Sequence, residues 1–154
     1  MTPTAPVRET VSRLLAAGRL EKVPPAAQLA DRLISGARAH VAAARVIRTD
    51  DPPGSLQLAY DASRKAATSL LAVLGLRATA RGGHLAVQEV VVSLGTEFAA
   101  FARLRRRRHE VEYPGPTTAT ATPADAREGI EAAAGMVQAA SLLLASGGLE
   151  RAIT

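Results

Sequence analysis

The sequence predicts an all-α domain, an antiparallel bundle of four to five helices. Three observations carry that expectation. Apolar residues recur three and four apart along most of the chain, Pro and Gly gather at a few points between those stretches, and no segment alternates with the period of two that a strand needs. Val90, Val91 and Val92 are β-branched, but the run sits inside a helical pattern. With 154 residues the chain reads as a single domain over 1–154. A domain of that size buries roughly 70% of the surface its unfolded chain exposes, enough for a core without cross-links.

The first helix is expected over about 5–17, with Thr4 as N-cap and Gly18 after it. Pro24 and Pro25 lie in the connector that follows. The second helix covers about 26–48, with Leu29, Leu33, Gly36, His40, Ala44 and Ile47 as its expected inner stripe. The turn Asp50-Asp51-Pro52-Pro53-Gly54 stops it. The third runs over about 54–74 and turns Leu56, Tyr60, Ser63, Ala67, Leu70 and Leu74 inward, with Gly75 ending it. After a loop through Arg81, Gly82 and Gly83, a long fourth helix is expected from His84 to Val111, before Pro114. Thr122, Pro123 and Asp125 then spell a capping-box start for a fifth. Its inner face reads Ile130, Ala134, Val137, Ser141 and Leu144. Gly129, Gly135 and the many alanines are expected to let helices approach closely, and such small-residue faces also suit a dimer.

Composition narrows the function classes. The chain has no cysteine, which excludes disulfides and thiolate-held metals. The N-terminal Met1-Thr2-Pro3-Thr4-Ala5-Pro6 lacks a basic segment followed by an apolar run, so a cytoplasmic chain is expected. Ala132 to Leu149 carries no charge over 18 residues, the lower limit for a span. It is weakly apolar with Gln138 in its middle, so a buried bundle helix and no membrane contact are expected. There is no Gly-rich phosphate loop, no His/carboxylate spacing of a tight metal site, and no helix pair of DNA-reading type. Neither a cofactor nor a metal is expected. The net charge is +5, carried by 17 Arg and only 2 Lys, Lys22 and Lys65. That imbalance is what a GC-rich coding sequence produces, so the informative feature is clustering: five Arg fall within the six residues 103–108. Such a block can meet phosphate, or can be a solvated helix end complementing the helix dipole.

Tracing the inner face of the fourth helix locates the candidate site. Val87, Val90, Leu94, Phe98 and Phe101 step by three and four, and the same steps continue to Arg105, Arg108 and Glu112. A charge on a core line is costly unless it is paired or opens to water, so this end is expected to line a polar cleft. Arg103 projects about 200° from Phe101, and it, Arg106 and Arg107 read as surface residues. Arg105 and His109 share one face, and Arg108 and Glu112, four apart, can pair. Imidazole is the side chain that exchanges protons near neutrality, which makes His109 the candidate base. His40, on an apolar face, and His84, beside Gly82 and Gly83, read as structural.

Two segments together resemble the HEPN superfamily, especially an actinobacterial branch. "LAYDASRKAATSLLAVLGLRATARGGH", Leu58 to His84, is similar to the family's second core helix and the loop that follows it. "RLRRRRHEVEYP", Arg103 to Pro114, is similar to its Arg-x4-6-His element near the end of the next helix. The resemblance implies a helical domain that dimerises. It also implies a metal-independent ribonuclease site where two such helices meet, often in a toxin paired with a nucleotidyltransferase-like antitoxin. In the family, Arg neutralises the scissile phosphate and His is base or acid while the 2′-hydroxyl attacks phosphorus. The element fits this chain in two registers. Arg103 and His109 have the spacing, but Arg103 leaves the core line. The register that agrees with the stripe makes Arg108 the motif arginine, places His109 beside it and puts Tyr113 where the family has histidine. A phenol is a poor base at neutral pH. Arg108, His109 and Tyr113 are thus the candidate catalytic residues, with Arg103, Arg105 and Glu112 around the substrate.

Three functions follow as expectations. The first is an endoribonuclease acting as toxin or defence effector. The second is a non-catalytic module that binds RNA, a nucleotide or a protein. The third is a structural homodimer whose Arg and Glu residues pair across the interface.

Overall fold

The computed structural model describes residues 4–149, with side chains from Pro6 onward. Among the described residues are six α-helices and one two-stranded ribbon. The order is α1 (Thr4–Ala16), β1 (Leu20–Lys22), α2 (Ala27–Ile47), α3 (Pro52–Leu74), β2 (Leu76–Ala78), α4 (Gly83–Leu94), α5 (Ala100–Glu112) and α6 (Pro123–Ser146). The architecture is the helical bundle that the periodicity predicts. The side chain of Thr4, the expected N-cap of the first helix, lies outside the described residues.

α3 is the central helix. It starts two residues earlier than expected, because Pro52 and Pro53 fill its first turn, where no backbone N–H is needed. Asp51 is the N-cap and accepts a hydrogen bond from the Gly54 N–H at 3.0 Å. All six residues of its expected inner face are buried. Gly75 ends it in the left-handed region at φ 68°, and a Cβ there would fall 2.7 Å from the Val23 carbonyl oxygen. β1 and β2 then pair antiparallel, Leu20 with Ala78 and Lys22 with Leu76. Three residues are too few for an alternating pattern, so nothing in the sequence announces this ribbon.

Side-chain pairs set the helix directions. Ser55 Oγ donates to the Ala44 carbonyl at 2.8 Å, and His40 Nδ1 lies 3.0 Å from Asp61 Oδ2, so α2 and α3 run antiparallel. Arg45 faces Glu131, and Arg38 donates to Ser141 Oγ at 2.9 Å, so α6 also runs antiparallel to α2. The buried stripe of α2 is Ala30, Ile34, Ala37, Val41 and Ala44; Ala44 is on the expected line, and the other four lie one residue on from it. Leu29 is 39% exposed and His40 is half-buried against the Asp61 carboxylate. Polar contact with α3, and not an apolar face, is the setting of His40.

The expected long fourth helix is two helices. The backbone is extended at Gly95 (φ 175°, ψ 161°), and a 3-10 turn over Thr96–Phe98 leads into α5. Glycine costs about 1 kcal/mol relative to alanine inside a helix, which makes this the weak point of the stretch. Leu94, Phe98, Phe101 and Leu104 remain buried across the interruption, so the core line survives it.

α6 begins with the expected capping box: Thr122 Oγ1 accepts from the Asp125 N–H, and the Asp125 carboxylate accepts from the Thr122 N–H. Its buried residues are Ala126, Gly129, Ile130, Ala133, Met136, Val137 and Ala140. Ala134, Ser141 and Leu144, expected inward, are only half-buried. Gly129 is where α6 approaches α3, since a Cβ there would meet Leu56 Cδ2 at 2.6 Å. Gly135 faces open space and serves no close approach. With 24 residues and mean hydropathy 1.3 in its most apolar stretch, α6 has the length and composition of a membrane span; here one face packs into the core.

α1 buries Val7, Val11 and Leu14 and packs on α4. Glu89 of α4 accepts from Arg13 at 2.6 Å and from Arg19 at 2.9 Å. The Arg13 hydrogen bond, with Arg19 behind it, holds the Glu89 carboxyl below its ordinary range despite partial burial. A carboxyl depressed in the folded state adds stability at neutral pH and loses it as pH falls through the folded value. Glu89→Gln is therefore expected to lower stability in urea at neutral pH and to change it little in strong acid. An equal loss at both pH values would rule out this role for Glu89.

Candidate functional site

The arginine-rich helix has two working sides. Phe101 and Leu104 are buried and fix its rotation, which sends Arg105, Arg108 and His109 to one side and Arg103, Arg106 and Arg107 to the other.

The first side lines an open groove of about 770 Å³ between α5, the first half of α3 and the start of α4. Tyr60, Asp61, Arg64 and His84 also line it. Arg105 Nε donates to Gln88 Oε1 at 3.2 Å, which ties that side chain to α4. The Arg108 guanidinium is ion-paired with Glu112, one turn on, and lies over the Tyr60 ring at 5.7 Å from its centroid. Tyr60 is itself backed by Phe101, with ring centroids 5.9 Å apart. Burial pushes the Tyr60 phenol above its usual range, against the pull of the Arg64, Arg108 and Arg105 charges, so it is a neutral platform and not an anion. A cation on an aromatic face, held by a carboxylate at its other end, has little rotamer freedom left to lose on binding.

Asp61 is the one acidic residue lining this groove among the described residues. Arg64 grips it through Nε at 3.1 Å and Nη2 at 2.7 Å, and Lys65 Nζ lies 3.4 Å away. Burial would raise its pKa, but the Arg64 hydrogen bond and the Arg64, Lys65 and His40 charges outweigh that and keep it low. Its charge is thus neutralised locally. The remaining balance of the groove is cationic, with two imidazoles, His84 and His109, on its walls.

The second side faces α6 across a smaller recess of about 390 Å³. Arg107 pairs there with Glu110 at 3.5 Å and Asp125 at 3.1 Å. Arg103 and Arg106 share that recess with Glu110, Asp125 and Glu128. Arg103 therefore stands away from Arg108 and His109. Tyr113 ends α5, is 63% exposed and does not line the groove; its ring leans on His109, with centroids 5.1 Å apart and a 44° tilt. Glu112 reaches the groove only through Arg108.

The sequence pattern groups Arg105, Arg108 and His109 but not the residues of α3 and α4 that line the groove with them. Tyr60 is buried as expected and also lines the groove, next to Asp61 and Arg64 on the same helix. His84 was read as a turn residue, whereas it is exposed on the first turn of α4 and faces the groove. The polar run Asp61, Arg64, Lys65 on an otherwise apolar helix was the available signal. Among the described residues no group of His, Asp and Glu is arranged to hold a metal ion. Compared with protein-family models, curated proteins and solved structures, the chain finds no match.

Proposed function

We propose that the α3–α5 groove binds the phosphodiester backbone of RNA and cleaves it without a metal, in the manner of the HEPN ribonucleases that the sequence resembles. One observation carries the reading: Arg105, Arg108 and His109 line a single groove, with Arg64 and His84 opposite. Guanidinium groups fixed before the substrate arrives stabilise the charge that grows on the non-bridging oxygens. His109 takes the 2′-hydroxyl proton, O2′ attacks phosphorus, and the 5′-oxygen leaves with a proton from His84. The products are a 2′,3′-cyclic phosphate and a 5′-hydroxyl end. The groove is open on one side, which suits a second copy of the chain completing it as a homodimer. The family likeness adds the setting of a cytoplasmic toxin or defence effector restrained by a nucleotidyltransferase-like antitoxin.

Incubation of the purified protein with single-stranded RNA in excess chelator tests this. Cyclic phosphate ends are expected, and His109→Ala should abolish them. Cleavage that survives that change removes His109 from the mechanism.

A second reading is favoured by Tyr113. It occupies the position of the family histidine, yet its exposed ring rests on His109 outside the groove. On that reading the domain binds RNA and does not cut it. Salt-sensitive binding, with log affinity falling by about 0.7 per phosphate contact per decade of salt, and no product would then be observed.

A further inference from the structure

A second recess adjoins the cationic groove. Beyond Arg64 and His84 lies a trough of about 520 Å³, bounded by the start of α2, the C-terminal half of α3, β2 and the first turns of α4. Its walls include Val23, Pro24, Leu29, Leu71, Leu76 and Val87. Arg64 and His84 are the two residues that line both spaces. No carboxylate lines the trough among the described residues, and its other cation, Arg77, is paired with Glu21 at 2.8 Å. Its volume is that of a small-molecule site, and its chemistry is apolar walls with a few polar groups at one end.

A ligand that fills both spaces must join a flat or compact apolar body to an anion. A nucleotide has that form: the base presents two apolar faces, and its phosphate carries the charge. We propose that the trough takes a nucleobase, and that the phosphate attached to it sits among Arg64, Arg105 and Arg108. Arg64 and His84 then stand at the ribose, between the two. The aliphatic walls grip the faces of the ring, and Thr68, whose hydroxyl donates to the Arg64 carbonyl at 2.8 Å, offers its oxygen to the ring edge as an acceptor. The ribbon earns its place in the fold by closing this trough, since Leu76 and Ala78 of β2 form part of its wall. The inference rests on the reading of the groove as an RNA-phosphate site and adds a base-reading pocket to it.

Titration of methyl-labelled protein with adenosine 5′-monophosphate and, separately, ribose 5-phosphate tests the pocket. The monophosphate should bind at least about 5-fold more tightly, from burial of the base against the aliphatic walls. It should also shift the methyl signals of Val23, Leu71, Leu76 and Val87, which ribose 5-phosphate leaves in place. Thr68→Trp, which fills the trough, should bring the ratio of the two affinities towards one. Ala80→Trp on the exposed rim does the same should the first variant fail to fold. Ribose 5-phosphate bound in an Arg108-dependent way, with the monophosphate no tighter and the trough methyls silent, overturns the pocket alone. Methyl shifts produced equally by a simple apolar probe such as benzene, with no preference for the monophosphate, overturn it as well. Loss of neither RNA nor ribose 5-phosphate binding in Arg108→Ala overturns the underlying groove reading instead.

Discussion

Arg108→Ala is expected to reduce RNA cleavage by about 10²- to 10³-fold, the cost of removing one preorganised donor from a developing oxyanion. Arg108 combines three constraints: the Glu112 carboxylate one turn on, the Tyr60 ring beneath and the groove in front. Its side chain is 38% exposed, so its ion pair contributes at most about 1 kcal/mol to folding, and the variant should remain folded. Arg108→Lys sharpens the test. Lysine keeps the charge but loses the planar fork and the stacking on Tyr60, so it should restore binding more than cleavage. Assays of rate and affinity on both variants, alongside their thermal midpoints, decide the matter. An Arg108→Ala protein with wild-type cleavage would eliminate the groove as the active site.

The largest stability effect is expected at Phe101. The ring is fully buried on the first turn of α5 and supports Tyr60 from behind. Phe101→Ala removes that volume from a packed core and should cost about 3–5 kcal/mol. For a domain of this size that corresponds to a fall of roughly 6–20 °C in Tm, at about 2–4 °C per kcal/mol. The consequence extends to the site. Tyr60 loses its backing, Arg108 loses a fixed platform, and RNA affinity should fall even at temperatures where the variant is folded. Urea unfolding and RNA titration on one preparation measure both. A loss below about 1 kcal/mol would mean that Phe101 is not the packing anchor its burial implies.

Some of this was legible in the residues and some was not, for identifiable reasons. α3 was readable because its inner residues include Leu56, Tyr60, Leu70 and Leu74, large side chains that contrast with their neighbours. α2 was misread by one position because its buried stripe is built largely from alanine. Alanine is frequent on every face of that helix, so Ala30 and Ala37 carry no more signal than Ala39 or Ala43, and Leu29 drew the line towards solvent. The interruption at Gly95 was hidden because Leu94, Phe98 and Phe101 keep helical spacing across it. At the site, Arg105, Arg108 and His109 share one helix, where periodicity can group them. Arg64, Asp61 and His84 join them only through the packing of α3, α4 and α5, which no local pattern encodes.

The extended residue between α4 and α5 has a consequence for how this surface can vary. Helical phase is not transmitted through it. Adding one residue to an uninterrupted helix would rotate everything downstream by about 100°. Here a length change on the α4 side of Gly95 can be absorbed before Phe98, and the guanidinium row keeps its heading. The same change between Phe101 and Arg105 would swing Arg105 and Arg108 out of their groove. Tolerance to insertion should therefore switch off sharply within one turn, at the point where Phe98 and Phe101 clamp the second helix to the core.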